Sequence, residues 1–288
     1  CMCAPLFAMK DYQELKTTAF HRLEVVFGAR EAKSILRILE EDLFTGPKQT
    51  LNDEWLSAWD RTIDRVLADE PLSYITGIHY FLDLKLKMAP GALIPRPETE
   101  ELVVSLLDDL KRRYHPSIRI FDIGTGSGCI PLAIKSKYPR ATIFTLDISA
   151  QALSIASANA QALDLDLNFI RQDFLNETLW DQLPADLDIV VSNPPYIQDH
   201  EVGYMTRSTI LYEPSEALFA GADPLIFYKK IAVFSFQHLK PGGAIFLEIN
   251  EFLGEETRQI FDDMGFDHVR VLKDLGHKDR ILVCEKAN

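Results

Sequence analysis

The chain has 288 residues, 47% of them hydrophobic, and carries 43 acidic against 30 basic side chains for a net charge of -13. That length and apolar content suffice for one large domain and a small one, and no apolar run reaches the ~18 residues of a membrane span. The acidic balance is repelled at long range by a polyanion, which tilts the partner towards a protein or a small molecule and disfavours nucleic acid.

The stretch from Cys1 to Met9 is apolar but lacks the basic start, long apolar centre and small-residue cleavage site of an export signal. Cys1 and Cys3 are crowded together while Cys129 and Cys284 are isolated, so the four cysteines form neither a disulfide framework nor a zinc site. A reducing, cytoplasmic setting fits them, no metal is expected, and Cys129 reads as a small buried hydrophobe. From Asp11 to about Asp69, Ile35, Leu36, Leu39 and Leu43, then Trp55, Trp59, Ile63, Val66 and Leu67, recur at helical spacing. They predict a small helical bundle over residues 1–70, broken at Gly46-Pro47. Asn52 or Asp53 is placed to cap the helix whose two tryptophans enter the core. Over residues 71–97, Leu82, Leu84, Leu86 and Met88 lie two apart, which predicts a linking strand or hairpin. In residues 98–288 strand-like and helical segments alternate, so an α/β domain follows, with a mainly parallel sheet covered by helices on both faces.

The chemistry-bearing motifs lie in that last stretch. A buried-strand run from Ile118 to Ile123, containing Asp122, leads into Gly124-Thr125-Gly126-Ser127-Gly128 and an apolar helix. Glycines let a backbone approach a ligand closely, and amides at a helix start can face its polar groups. The spacing fails both the dinucleotide fingerprint and the phosphate-binding P-loop. A second strand, Thr142 to Leu146, ends in Asp147 about 20 residues beyond the loop, where an acid can bind ribose hydroxyls; Asp147 or Ser149 can equally cap the helix that starts at Ala150. A third, Leu167 to Arg171, ends in Gln172-Asp173-Phe174, an acid and an aromatic suited to an adenine amino group and ring. The fourth, Leu187 to Val191, delivers Ser192-Asn193-Pro194-Pro195-Tyr196. The two prolines stop the strand and lack amide donors, leaving carbonyls free to accept. A planar NH2-bearing acceptor would have its two N–H groups taken by the Asn193 side chain and the Pro194 carbonyl, with Tyr196 against its face. His200 and Glu201 downstream read as solvent-exposed loop residues.

Around these motifs the chain resembles the release factor glutamine methyltransferases of the HemK (PrmC) family over nearly its whole length. Pro71-Leu72-Ser73-Tyr74-Ile75-Thr76-Gly77 is similar to the family's segment between helical and catalytic domains, and Leu93-Ile94-Pro95-Arg96-Pro97-Glu98-Thr99-Glu100 to its signature before the first catalytic helix. Glu213-Pro214 with Ala217-Leu218, Lys240-Pro241-Gly242-Gly243 and Leu247-Glu248-Ile249 follow the same pattern. Three departures stand outside the Asn-Pro-Pro-Tyr and glycine-loop motifs: Asn250 where glycine is usual, Gly276-His277-Lys278-Asp279-Arg280 for Gly-Arg-Asp-Arg, and Leu82-Asp83 where the hairpin usually has glycine.

The resemblance implies a seven-stranded, Rossmann-like methyltransferase sheet with a small N-terminal helical domain that docks the substrate. Its late strands would be Ala244 to Ile249, His268 to Leu272 and Ile281 to Glu285. It implies S-adenosylmethionine as methyl donor at Gly124 to Gly128 and Asn193, with Asp147 on the ribose and Asp173 and Phe174 near the adenine. The implied partner is a class I peptide-chain release factor, methylated on the amide nitrogen of its Gly-Gly-Gln glutamine at Asn193, Pro194, Pro195 and Tyr196. Two alternatives share features. Asn-Pro-Pro-Tyr also serves amino methylation of flipped-out adenine or guanine, which the acidic charge disfavours, and a nicotinamide oxidoreductase shares the sheet but not the fingerprint.

Overall fold

Apolar residues three and four apart in the N-terminal stretch resolve into four helices: α1 (Tyr12–Phe27), α2 (Ala29–Asp42), α3 (Asp53–Leu67) and α4 (Leu72–Thr76). The structure is a computed structural model that describes residues 12–44, 52–112 and 117–288; the Cys1 to Met9 stretch and the Gly46-Pro47 break fall outside them. Two units divide the chain, residues 1–78 and 79–288. In the first, Leu23, Leu36, Leu39, Ile63 and Val66 form a shared core with Trp59, which is 1% exposed. Trp55 stacks on Trp59 with ring centroids 5.4 Å apart, and Phe44 meets both edge-on. Burying each large side chain contributes ~1.5–3 kcal/mol, so these rings carry much of a bundle this small. Asn52 is the cap of α3, its side-chain oxygen accepting from the Trp55 amide at 2.8 Å. Leu43, expected in the core, follows the end of α2 as its capping residue and is exposed.

The hairpin of β1 (Ile78–Phe81) and β2 (Leu84–Lys87) turns at Leu82, which takes a left-handed φ of 49° where glycine is the easier choice. Helix α5 (Pro97–Arg112) follows. Strands and helices then alternate as β3 (Arg119–Ile123), α6 (Cys129–Lys137), β4 (Thr142–Asp147), α7 (Ala150–Ala162), β5 (Asn168–Arg171) and β6 (Leu187–Ser192). After β6 come two short helices, α8 (Arg207–Tyr212) and α9 (Ser215–Leu218), then α10 (Ile226–His238), β7 (Leu239–Glu248), α11 (Gly254–Met264), β8 (Phe266–Lys273) and β9 (Asp279–Lys286). Strand β7 starts five residues before the expected Ala244, because Lys240 to Gly243 pass through an irregular, bulged pairing with β6.

Seven strands form one sheet in the order β5-β4-β3-β6-β7-β9-β8, with β9 antiparallel to both neighbours. The parallel strands are apolar on both faces, as a sheet covered on both sides requires. Ile120, Ile143, Ile189, Val191 and Phe246 pack with Leu102 and Leu106 of α5 and Leu132 of α6. On the opposite face, Phe121, Leu146, Val190, Ile245 and Leu247 pack with Tyr228 and Phe234 of α10 and Phe261 of α11. Chain order runs outward from β3 through β4 to β5, then returns to place β6 on the other side of β3. That reversal opens a crevice at the carboxyl ends of β3 and β6, where sheets of this kind bind ligands. Ile123 at the end of β3 pairs with Ser192 at the end of β6, so the glycine loop and Asn-Pro-Pro-Tyr leave the sheet side by side.

Candidate active site

The loop after β3 is tied down by its own amides. Gly124 N and Thr125 N both donate to Leu146 O, Gly128 N donates to Thr125 O, and Gly126 N donates to the Asp147 carboxylate at 2.9 Å. This corrects the expectation that the loop's amides face a ligand, since those four are spent inside the protein. Gly124 and Gly126 line a cavity of about 430 Å³ together with Ile123, Leu146, Asp147, Gln172, Asp173 and Phe174. A Cβ built on Gly126 would enter open space, so the loop presents bare backbone there. Thr125, Ser127 and Gly128 do not line this cavity, a second correction. The Thr125 hydroxyl bonds to that of Thr145 and to Leu146 O, the buried Ser127 gives its carbonyl to Asn159 Nδ2 at 2.9 Å, and a Cβ at Gly128 would come within 3.1 Å of Ala156 and Leu132. Thr125 thus ties the loop to β4, and Ser127 and Gly128 pack it onto α6 and α7.

Of the two readings of Asp147, the structure decides the capping one. Asp147 Oδ1 accepts from Ser149 N at 2.8 Å and its Oδ2 from Gly126 N, while the cap of α7 is Ser149, whose hydroxyl accepts from Ala152 N at 3.2 Å. Burial pushes the Asp147 carboxyl above its usual range, and the backbone amides of Gly126, Ser149 and Ile148 oppose that shift. Asp173 Oδ1 accepts from Leu175 N at 2.9 Å, and the residue lines the cavity. Phe174 reaches the cavity only as a wall of the core: it is 3% exposed, stacked on Trp180 and edge-on to Phe234. Beneath the loop lies Asp122, fully buried, accepting from Thr145 Oγ1 at 2.7 Å; burial pushes its carboxyl up to about 7.

A second cavity, of about 320 Å³, adjoins the first, and both are lined by Leu93, Asn193, Pro194 and Ala217. Of the four predicted acceptor residues, Asn193 and Pro194 border both spaces, Pro195 borders the first and Tyr196 the second. The Ser192 hydroxyl donates to Ile123 O at 2.6 Å and anchors the turn to β3. Asn193 Nδ2 donates to Thr99 Oγ1 at 3.1 Å, and neither its Oδ1 nor the Pro194 carbonyl receives a hydrogen bond from the described residues. Tyr196 sends its hydroxyl away from the turn, donating to Glu248 Oε1 at 2.9 Å. Burial first, then the Glu248 carboxyl, holds the Tyr196 hydroxyl well above the usual phenol range, so it stays a neutral donor.

Residues outside the predicted set hold this turn in place. Arg96 pairs with the buried Glu213 at 2.5 Å, and Ile94 N donates to the same carboxylate at 3.1 Å. Leu218 O accepts from Ile197 N at 3.0 Å, so the segment from Glu213 to Leu218 is fastened at both ends and covers the two cavities. Thr99 donates to Glu248 Oε2 at 2.6 Å, and Glu100 accepts from Leu82 N at 2.7 Å. Within the signature from Leu93 to Glu100, Ile94, Arg96, Thr99 and Glu100 thus have distant partners of which a linear reading gave no sign. Asn250 corrects two expectations. Its Nδ2 donates to Tyr196 O at 3.2 Å and to both oxygens of Glu201 at 3.0 Å, so this departure does touch the Asn-Pro-Pro-Tyr turn. Glu201 is buried, taking a further bond from Gln198 N at 2.8 Å; His200 is exposed as expected. The left-handed φ of His277 at 64° closes the turn in which Asp274 holds Arg280 at 3.1 Å.

Comparisons with known proteins fit this geometry. Residues 101–231 match the family model of the methyltransferase small domain. A release factor glutamine methyltransferase from Flavobacterium psychrophilum is 33% identical over 284 residues, 95% of this chain and 98% of that protein. Another from Bacteroides thetaiotaomicron is 40% identical over 230 residues, 79% of this chain and 80% of that protein. Among solved structures, a T. thermophilus 16S rRNA N2 methyltransferase in complex with AdoMet and guanosine aligns with a TM-score of 0.54 at 20% identity, over 73% of this chain and 49% of that one. At that identity the likeness is one of fold.

Proposed function

The chain belongs to the release factor glutamine methyltransferase family, and from that premise we propose that it transfers a methyl group from S-adenosylmethionine to the side-chain amide nitrogen of the glutamine in the Gly-Gly-Gln motif of class I release factors. The observation that carries this reading is the wall shared by the two cavities, Asn193 and Pro194. The residues fit the methyl donor. A cavity of about 430 Å³ is of small-ligand size; Asp147 offers charged acceptors for ribose hydroxyls, Asp173 and the edge of Phe174 suit an adenine, and Gly126 leaves room for close approach.

When bound, S-adenosylmethionine supplies an electrophilic methyl group on a sulfonium sulfur. The chain's task is orientation, because an amide nitrogen is a weak nucleophile whose lone pair is delocalised into its carbonyl. Orientation can supply ~7–11 kcal/mol of a barrier, far more than the ~0.5–1.5 kcal/mol of one ordinary hydrogen bond, so alignment is the main lever. Asn193 Oδ1 and the Pro194 carbonyl would accept the two N–H groups of the glutamine amide. Both acceptors bind more strongly as the nitrogen gains positive charge, which favours the transition state over the ground state.

A single glutamine side chain offers little surface for specificity, whereas specific protein interfaces bury ~1,200–2,000 Å². Residues 1–78 are therefore proposed to dock the release factor. Among the described residues no helix is long and apolar enough to cross a membrane. The test is a methylation assay offering an intact release factor, DNA and RNA in parallel, read by mass spectrometry. A methyl group on the Gly-Gly-Gln glutamine is expected; modification of DNA or RNA alone would refute the reading.

A further inference from the structure

A chain of hydrogen bonds runs from the acceptor wall into the core. Asn193 Nδ2 donates to Thr99 Oγ1, Thr99 Oγ1 donates to Glu248 Oε2, and Tyr196 donates to Glu248 Oε1. Glu248 is 1% exposed; burial raises its carboxyl above the usual range, and the Thr99 and Tyr196 hydroxyls and the Arg280 guanidinium oppose that shift and favour the carboxylate. A hydroxyl has one hydrogen to give, and a carboxylate has none. With Thr99's hydrogen committed to Glu248, its oxygen can only accept from Asn193. The Asn193 NH2 is thereby held at Thr99, and Oδ1 is left for the cavity.

We propose that Thr99 and Glu248 are positioning residues that fix which end of the Asn193 amide faces the acceptor, and so restrict the acceptor to a group that donates two N–H bonds. This rests on the amide-acceptor reading above. With the Asn193 amide reversed, its NH2 would face the NH2 of the acceptor, and its oxygen would face a hydroxyl with no hydrogen left. In the observed direction the wall presents two acceptors, Asn193 Oδ1 and the Pro194 carbonyl. A glutamine satisfies both. A glutamate would set an anion against them, a mismatch of the kind that separates substrates by 10⁴-fold or more on the order of magnitude seen for unpaired buried polar groups.

The test uses the full-length chain. Thr99→Val, Thr99→Ser, Glu248→Gln and Asn193→Ala are compared for S-adenosylmethionine affinity by calorimetry and for turnover of an intact release factor by mass spectrometry. Glu248→Gln keeps the shape but can donate to Thr99, which reverses the chain. It and Thr99→Val should each lower kcat about tenfold or more while cofactor affinity stays within about twofold. Thr99→Ser, which keeps the hydroxyl, should restore kcat to within about threefold of wild type. Since Thr99 acts through Asn193, adding Thr99→Val to Asn193→Ala should lower kcat no further; a merely structural residue would lower it by the same factor in both backgrounds. Equal factors, or wild-type kcat in Thr99→Val and Glu248→Gln, would overturn the proposal. A wild-type chain that leaves the release factor unmethylated would instead overturn the reading beneath it.

Discussion

Asp147 is where the cofactor assignment is most exposed to refutation. Each of its oxygens takes one backbone N–H, from Ser149 at 2.8 Å and Gly126 at 2.9 Å. A carboxylate has about four acceptor positions, so both oxygens keep capacity for the ribose hydroxyls. Asp147→Ala removes a charged acceptor worth ~1.5–3 kcal/mol, a rise in Kd for S-adenosylmethionine of roughly ten- to 150-fold. The same change orphans two amides, at ~1 kcal/mol each in fold stability, so melting is measured before titration calorimetry. Asp147→Asn should do little better, because its NH2 must face one of the two backbone N–H groups. Binding needs the ionised carboxylate and burial raises its pKa, so acidification should weaken binding from above the ordinary carboxylate range. A folded Asp147→Ala chain with wild-type affinity would remove Asp147 from the cofactor site.

Three further outcomes are expected. Asn193→Ala should keep the fold and cut turnover of a release factor about a hundredfold or more, since it deletes a group that aligns the nucleophile; near-normal turnover would make Asn193 merely structural. Removing residues 1–78 should spare S-adenosylmethionine binding but greatly reduce methylation of an intact release factor, and a short Gly-Gly-Gln peptide should be a poor substrate with or without them. Asp122, pushed up to about 7 by burial, holds its proton more tightly folded than unfolded. Its contribution to stability is therefore full below the ordinary carboxyl range and lost as pH rises through 7. Wild type should lose on the order of 4 kcal/mol from this group between pH 4 and pH 7, and Asp122→Asn should not; parallel urea-unfolding profiles for the two chains would contradict the argument.

The sheet and the two motif-bearing turns could be read from sequence because period and punctuation are local. Apolar strand runs end at glycines in one turn and at prolines in the other, and strand order then brings the turns together. The three corrected loop residues, Thr125, Ser127 and Gly128, show where local reading stops. Thr125 and Ser127 sit in a ligand-binding motif yet point into the protein, since alternate positions of a tight turn face opposite sides. The partnerships of Arg96 with Glu213, Thr99 with Glu248 and Asn250 with Glu201 span 117, 149 and 49 residues. No spacing rule reaches that far, and a buried carboxylate looks in a sequence like any surface acid. Asn250 is the instructive case: an amide in place of glycine becomes a brace for Tyr196 only because Glu201, taken for a loop acid, turns inward.

The same carboxylates bear on the chemistry as a group. Asp147 lines the first cavity and Glu248 the second, and the hydrogen bonds they receive come from uncharged donors: backbone amides, Thr99 and Tyr196. Hydroxyls and amides stabilise an anion without cancelling its field as a lysine would. The first cavity, whose described lining holds Asp147, Asp173 and Glu216 and no basic side chain, is therefore electronegative, an unfavourable place for a phosphate or an acidic side chain. For methyl transfer from a sulfonium to a neutral amide the polarity is the required one. One positive charge is present throughout, first on the donor and then on the nitrogen, and preorganised acceptors stabilise it without rearranging during the step. Once that charge has left the donor, the remaining thioether gains nothing from the field. The walls should accordingly hold S-adenosylmethionine more tightly than its demethylated product, and salt should weaken the donor more than the product.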